Sequence, residues 1–190
     1  LDNITLSASL SRQVRIPSTN ELFGDRGTTL GNSDLKPEES HAIEAGFESF
    51  HRHSKFSFYL FHRDIEDNIS SEQDNRGVIK FSNIAKTRFK GAELSFDISL
   101  NRSLSYIGNA TFQKSTILDN NLASTINNEI NNHRNVTLNH SLIFAAKNWT
   151  SKLTHRHQKG GYYTIQNEDS LAIPEQNQVD LSISKQLWLT

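Results

Sequence analysis

The sequence predicts an all-β fold, an antiparallel meander of about eight long strands forming part of a transmembrane β-barrel. Three observations predict it. Apolar and polar residues alternate with period two along most of the chain, the strands so marked are long, and the connections between them alternate between short and long.

Composition permits this class. Only 35 % of residues are hydrophobic and the mean hydropathy is −0.58, values that also fit a water-soluble chain. A membrane barrel exposes apolar residues at every second position only, so its average stays low although its outer wall is greasy. No stretch approaches the ~20 continuous apolar residues of a spanning helix. Cysteine is absent, which removes disulfides, thiol catalysis and thiolate metal sites. With 20 basic against 21 acidic residues, the charge balance gives no reason to expect a nucleic-acid partner. The alternation is already under way at the first residues, with no basic or apolar leader, and still running at the last, so both ends are expected to be internal to a longer chain.

The first strand interleaves Ile4, Leu6, Ala8 and Leu10 with Thr5, Ser7, Ser9 and Ser11. The segments 41–50 and 56–65 are less regular but still read as strand. Residues 78–100 form one long, interrupted strand whose second half alternates Ala92, Leu94, Phe96, Ile98 and Leu100 with Glu93, Ser95, Asp97 and Ser99. Leu104, Tyr106, Gly108, Ala110 and Phe112 mark the next, and Val136, Leu138, Leu142 and Phe144 the sixth. Residues 149–157 and the Val179, Leu181, Ile183 series complete the set. Short turns are expected at 51–54, 101–102 and 146–148, and long polar loops at 16–40, 70–76, 116–132 and 160–176. One end of the sheet therefore carries tight turns and the other long excursions, as in outer-membrane barrels. Strands of ~9 to 11 residues suit a tilted membrane crossing, whereas soluble strands usually run ~5 to 6. The polar series, rich in Ser, Thr, Asn, Asp and Glu, would be costly in a dry core and cheap against a watery or plugged lumen. A soluble β-sandwich or adhesin-like binding module, and a small eight-stranded barrel without transport, are the alternatives.

Ordered boxes then suggest a family. Arg15-Ile16-Pro17 leads through Glu21-Leu22 to Gly31-Asn32-Ser33-Asp34-Leu35-Lys36-Pro37-Glu38, and the following strand carries Glu44-Ala45-Gly46. Asn83 precedes Gly91-Ala92-Glu93, and His133-Arg134 comes later. In this order the boxes resemble the barrel of TonB-dependent receptors, over essentially all 190 residues. Ser33 and Asn131 depart from a pattern that often has Pro in the first box and before the His-Arg pair. The resemblance implies a partial barrel of about 22 strands, with the N-terminal plug, the TonB box and the last strands outside this chain. It further implies residence in the outer membrane, contact with membrane lipid and with the receptor's own plug, and coupling to the TonB energy-transducing complex through the N-terminal part. The implied ligand is a scarce nutrient such as a ferric siderophore, with cobalamin, haem or a glycan as other classes.

Physical chemistry suits several box positions. Pro17 and Pro37 fix φ and lack a donor, as loop edges allow. Asn20 is placed to cap a short helical turn over Glu21, Leu22 and Phe23. Gly24, Gly27 and Gly31 suit turns, while Gly46 and Gly91 on strands permit close approach of a large neighbour such as a plug.

The remaining candidates point away from catalysis. His155 and His157 share one face about 7 Å apart, close enough to ligate a metal only if a third group converged; His51 and His53 sit at a turn. Neither pair has ligand spacing to an acidic partner, so no metal site and no cofactor are expected. The 18–30 stretch contains no His that could be a haem ligand. Asp64, Glu66 and Asp67 read as a solvated cluster at a strand head. No nucleophile elbow, phosphate loop or paired-carboxylate motif occurs. Trp149, Trp188, Tyr162 and Tyr163 fall near strand ends, where amphipathic rings suit a membrane interface; Tyr162 and Tyr163 are also the loop residues placed to touch a ligand.

Overall fold

The computed structural model describes residues 3–25, 27–74 and 76–187; Trp188 lies outside them. In chain order the elements are β1 (Asn3–Arg15), α1 (Thr19–Phe23), β2 (Thr29–Leu30), β3 (Glu38–His51), β4 (Ser54–Gln73), β5 (Ile79–Ser99), β6 (Leu104–Asp119), β7 (Val136–Ala146), β8 (Trp149–Lys159) and β9 (Gln176–Lys185), with single 3₁₀ turns at Ala123–Thr125 and Asp169–Leu171. The eight long strands form one antiparallel meander in the order β1-β3-β4-β5-β6-β7-β8-β9, while the two-residue β2 pairs parallel with Ile79 and Lys80 of β5. Among the described residues no second sheet covers either face, which removes the sandwich. β1 and β9 do not pair, which removes a closed eight-stranded barrel.

Register sorts the faces, because residues directly opposite in an antiparallel ladder point the same way. Leu6 faces Phe47, Phe47 faces Phe58, Phe58 faces Leu94, Leu94 faces Ala110 and Ala110 faces Leu138. Leu142, Leu153 and Leu181 continue the same face onto β9. This apolar face is uncovered, with Leu6 and Leu10 each 80 % and Leu181 67 % accessible. The opposite face is a hydrogen-bonded polar layer. Ser7 and Glu48 contact the Tyr59 hydroxyl at 3.2 and 3.3 Å, the Ser141 and Thr154 hydroxyls meet at 2.9 Å, and Arg156 donates to Asp180 at 2.9 Å.

Three expectations are corrected. Residues 70–76 are not a long loop: β4 runs on to Gln73, and a tight turn with Gly77 at φ +82° closes it onto β5, the Asp74 carboxylate accepting from the Arg76 and Val78 amides. Residues 79–99 form one strand, in which the expected interruption is reduced to a register irregularity at Lys86/Thr87. The helix cap is Ser18, not Asn20: the Ser18 hydroxyl accepts from the Glu21 amide while the Glu21 carboxylate accepts from the Ser18 amide, a reciprocal capping box. Asn20 lies within the turn. The other expected strands are present, most of them longer than the alternation alone marks.

Alternation itself changes phase midway up the central hairpin. On the upper half of β4 the buried residues are Ile65, then Asn68 and Ser70; on β5 they are Ile84, then Thr87 and Phe89. The three-residue steps coincide with Asp67 at φ +51° and a register irregularity at Lys86/Thr87, which is what a β-bulge does to the side-chain period.

The hydrophobic core lies at the loop end rather than between layers. Ile65, Ile84, Phe89 and Ile117 from β4, β5 and β6 cluster with Ile130 and Ile165 from the two long downstream loops, with Phe61 packed against them. Those loops therefore fold back over the polar face and close its upper end.

Candidate functional site

The first group of box residues converges where loop 16–37 crosses the β4–β5 hairpin. Arg15, ending β1, is clamped between two acids: its Nε donates to Glu38 at 2.6 Å and its Nη1 to Glu21 at 3.0 and 3.1 Å. Burial pushes the Glu21 carboxyl up, but the Ser18 amide, the Arg15 guanidinium and the Ser18 hydroxyl outweigh it and hold it below the usual carboxylate range. The other Glu38 oxygen accepts from the Ile69 amide at 2.6 Å and the Asn68 side chain at 3.2 Å. Asn32 takes the Asp34 amide at 3.0 Å and donates to the Phe81 carbonyl at 3.1 Å. Asn83 accepts from the Lys36 amide at 2.9 Å and donates to the Lys36 and Asp67 carbonyls. Gly31 packs on the backbone of Phe23 and Gly24, with no room for a Cβ. Leu35 is buried, and Pro37 stands where the loop turns into β3. Arg15, Glu21, Asn32, Glu38 and Asn83 are thus a latch between loop and hairpin, with Leu22 on the helical turn beside it.

Below this latch, on the polar face, lies a cleft lined by Glu44, Glu93, Arg63, Gln113, Phe61, Phe89 and His133. Its floor explains the two strand boxes. Glu44, Phe61 and Gly91 form one cross-strand row, and Gly46, Tyr59 and Glu93 the next. Each of these two aromatic rings lies over a glycine of one neighbour, Tyr59 over Gly46 and Phe61 over Gly91, leaving a glutamate on the other side. The close neighbour of both glycines is a ring of the sheet itself. Phe61 and Arg63 belong to the stretch 61–69 that resembles the family's rising strand, whereas Tyr59 is not singled out by any box, although period two places it on the polar face.

His133 and Arg134 hold the second brace. His133 packs edge-on to Phe89 with ring centroids 5.0 Å apart, and burial lowers its imidazole below the ordinary range. Arg134 Nη1 donates to the carbonyls of Pro174 at 2.9 Å and Ile173 at 3.3 Å, tying loop 120–135 to loop 160–175. Asn131 accepts from the Ser70 hydroxyl at 2.6 Å and donates to the Ser71 carbonyl, pinning the loop to the hairpin. Tyr163 is half exposed at the rim, in a cleft shared with Glu72, Asp74, Asn132 and Leu171; Tyr162 bridges to Ala172.

The other candidates separate. Asp64 binds Arg88 through both oxygens at 2.6 and 2.8 Å, Glu66 meets Lys86 at 3.7 Å and Asp67 meets Lys36 at 3.9 Å, so the acidic run splits into three ion pairs. His155 and His157 share a face as expected, but that face is the apolar one; His140 and Glu175 lie beside them, yet among the described residues no group of three is arranged to hold a metal ion. They belong to a polar chain instead: the Tyr106 hydroxyl to His140 at 3.2 Å, His140 to His155 at 3.0 Å, and both His155 and His157 to Asn177 at 3.3 and 3.0 Å. Trp149 lies at the turn end of the same face, capped by the Lys185 ammonium 4.9 Å from its ring.

The profile of the TonB dependent receptor-like β-barrel family matches residues 1–189. The chain belongs to that family. Solved receptor structures agree in fold. The copper transporter OprC superposes with a TM-score of 0.74 at 14 % identity over 97 % of this chain. The ferric yersiniabactin uptake receptor FyuA from Yersinia pestis gives 0.71 at 15 % over 96 %, and the siderophore receptor PirA from Pseudomonas aeruginosa 0.65 at 18 % over 97 %. The chain spans 29 %, 27 % and 31 % of those proteins, so it corresponds to under a third of a receptor's length. Within this family the sheet is a section of barrel wall.

Proposed function

We propose that this chain is a wall-and-rim section of an outer-membrane TonB-dependent transporter that imports a scarce nutrient, a ferric siderophore being the favoured class and cobalamin, haem or a glycan the others. The observation that carries it is the register-locked separation of an uncovered apolar face from a hydrogen-bonded polar face across eight strands, with the long loops folded over the polar face. In a bilayer the apolar face meets lipid at no cost, and the paired strands leave no backbone group unsatisfied except at the two edges. The polar face then lines the lumen, where the receptor's plug would sit against the Glu44, Glu93 and Arg63 cleft. Of the three superposed structures named above, one is a ferric yersiniabactin uptake receptor and one a siderophore receptor, which supports the ligand class. The work assigned to these residues is binding and passage, not catalysis. Loops 16–37, 120–135 and 160–175 form this side of the extracellular vestibule, with Tyr162 and Tyr163 as rim contacts.

Uptake of a radiolabelled ferric siderophore by cells expressing the full-length receptor tests this. Uptake should vanish without TonB and fall at least tenfold when loop 160–175 is replaced by a short Gly-Ser turn. TonB-independent uptake would refute the transport reading, and unchanged affinity and uptake after loop replacement would remove that loop from the vestibule.

A further inference from the structure

On the apolar face, register stacks the side chains of β4, β5 and β6 into level rows. Leu60, Ala92 and Phe112 oppose one another and form the last apolar row. One step toward the loop end the opposed residues are His62, Lys90 and Lys114, and one step further Asp64, Arg88 and Thr116. The apolar surface therefore ends at a line of three basic side chains. Lys90 and Lys114 face each other directly, both exposed, and no ion pair to either is formed among the described residues. The nearest acid is committed: both Asp64 oxygens bind Arg88, and Oδ1 is also 3.1 Å from His62. Glu66, a further step up, meets Lys86. Like charges directly opposed on a sheet repel, so the pair calls for an anion from outside the chain. A groove opens alongside, lined by Leu10, Arg12, His41, Ile43, His62 and Asp64, apolar below and charged above, where Arg12 and His41 are both held by Glu39.

We propose that His62, Lys90 and Lys114 seat the phosphate of a membrane lipid headgroup at the loop-side border of the apolar belt, with the acyl chains lying over Leu60, Ala92 and Phe112. The proposal rests on the reading that the apolar face meets the bilayer. Ammonium groups are point-charge phosphate binders, and basic residues at a membrane border attract anionic headgroups. Cations bordering an apolar wall fit an amphiphile; a free anion would make no use of the rows below.

The full-length receptor in phosphatidylcholine nanodiscs containing phosphatidic acid provides the test, with lipid retained after transfer to detergent counted by native mass spectrometry. The native protein should retain phosphatidic acid over phosphatidylcholine. The K90Q/K114Q double variant should retain roughly tenfold less, and K90R/K114R should restore retention. Equal retention by K90Q/K114Q overturns the seat, as does displacement by inorganic phosphate at the same concentration, which would mark a free-anion site. Resistance to denaturation in dodecyl sulfate reports that each variant is folded. Failure of the native receptor to enter nanodiscs at all would instead strike the membrane reading, and is seen separately as protein left outside the disc fraction.

Discussion

Gly46 and Gly91 show how a single missing side chain sets the floor of the cleft. A Cβ at Gly91 would overlap the Phe112 carbonyl and the Phe61 ring, and one at Gly46 the Phe58 carbonyl and the Tyr59 ring. Gly91→Ala should therefore cost about 1 to 3 kcal/mol, the range for overpacking, read as a lower unfolding temperature of the full-length receptor in detergent. Glu38 is a second such point. Glu38→Ala leaves Arg15 Nε, the Asn68 side-chain amide and the Ile69 amide without their acceptor, Arg15 keeping only Glu21, so a loss of about 1 to 3 kcal/mol is expected, whereas Glu38→Gln, which keeps acceptor oxygen, should lose less. His133 makes this region sensitive to acid. Its folded imidazole titrates below the ordinary value of 6.5, so the unfolded chain takes up the proton first. The contribution is complete above about 6.5 and declines as pH falls toward the depressed folded value. Amide protection in loop 120–135, with the intrinsic exchange rate at each pH divided out, should fall between pH 7 and 5 in the native receptor and lose that dependence in His133→Phe. The identities of Arg15, Glu38, Gly46 and Gly91 are visible in the sequence as box residues. Their partners are not, because Ile69 lies 31 positions beyond Glu38 and only the register of β3 against β4 brings them together.

The β4–β5 hairpin is the element on which everything else at the loop end leans. Loop 16–37 is latched to it through Glu38, Asn32 and Asn83, and loop 120–135 through Asn131. Loop 160–175 reaches it through the Ile165 amide, which donates to Glu72 at 3.3 Å. Asn131→Ala removes both Asn131 side-chain bonds at a buried position. Hydrogen exchange at residues 70–73 and 128–133 should rise several-fold while the strands below stay protected, and unchanged exchange would show that Asn131 does not pin the loop. Asn131, where relatives of this pattern often carry proline, thus supplies bonds that proline lacks. The same element shows where sequence reading stops. Alternation marks β4 clearly only from Phe56 to Leu60; from Phe61 to Ile65 it is less regular, Phe61 and Ile65 falling on the polar face and His62 and Asp64 on the apolar one. Above the bulge at Asp67 both sides meet loops or water, Ser70, Ser71, Glu72 and Gln73 follow no period, and a strand of 20 residues looks like a strand plus a loop. Long-range cover, not local propensity, holds that upper half extended.

At the scale of the molecule, the described sheet is open at both edges and bare on its apolar face. Expressed alone in water, residues 1–190 should aggregate or need detergent, because unpaired edges and an exposed apolar wall both invite association. A monodisperse monomer with a cooperative melt would contradict the barrel-wall assignment. The fold class was legible because alternation recurs along the chain and three of the four loop-end connections are long, whereas the loop core of Ile130 and Ile165 was not, since isolated apolar residues in polar loops carry no period. That loop core also has a kinetic consequence. Because Ile65, Ile84, Phe89, Ile117, Ile130 and Ile165 already lock this arc of the rim in place, a nutrient arriving here would meet a surface with little chain entropy left to lose. Capture should be fast and single-phase, with discrimination showing up in how slowly the nutrient leaves.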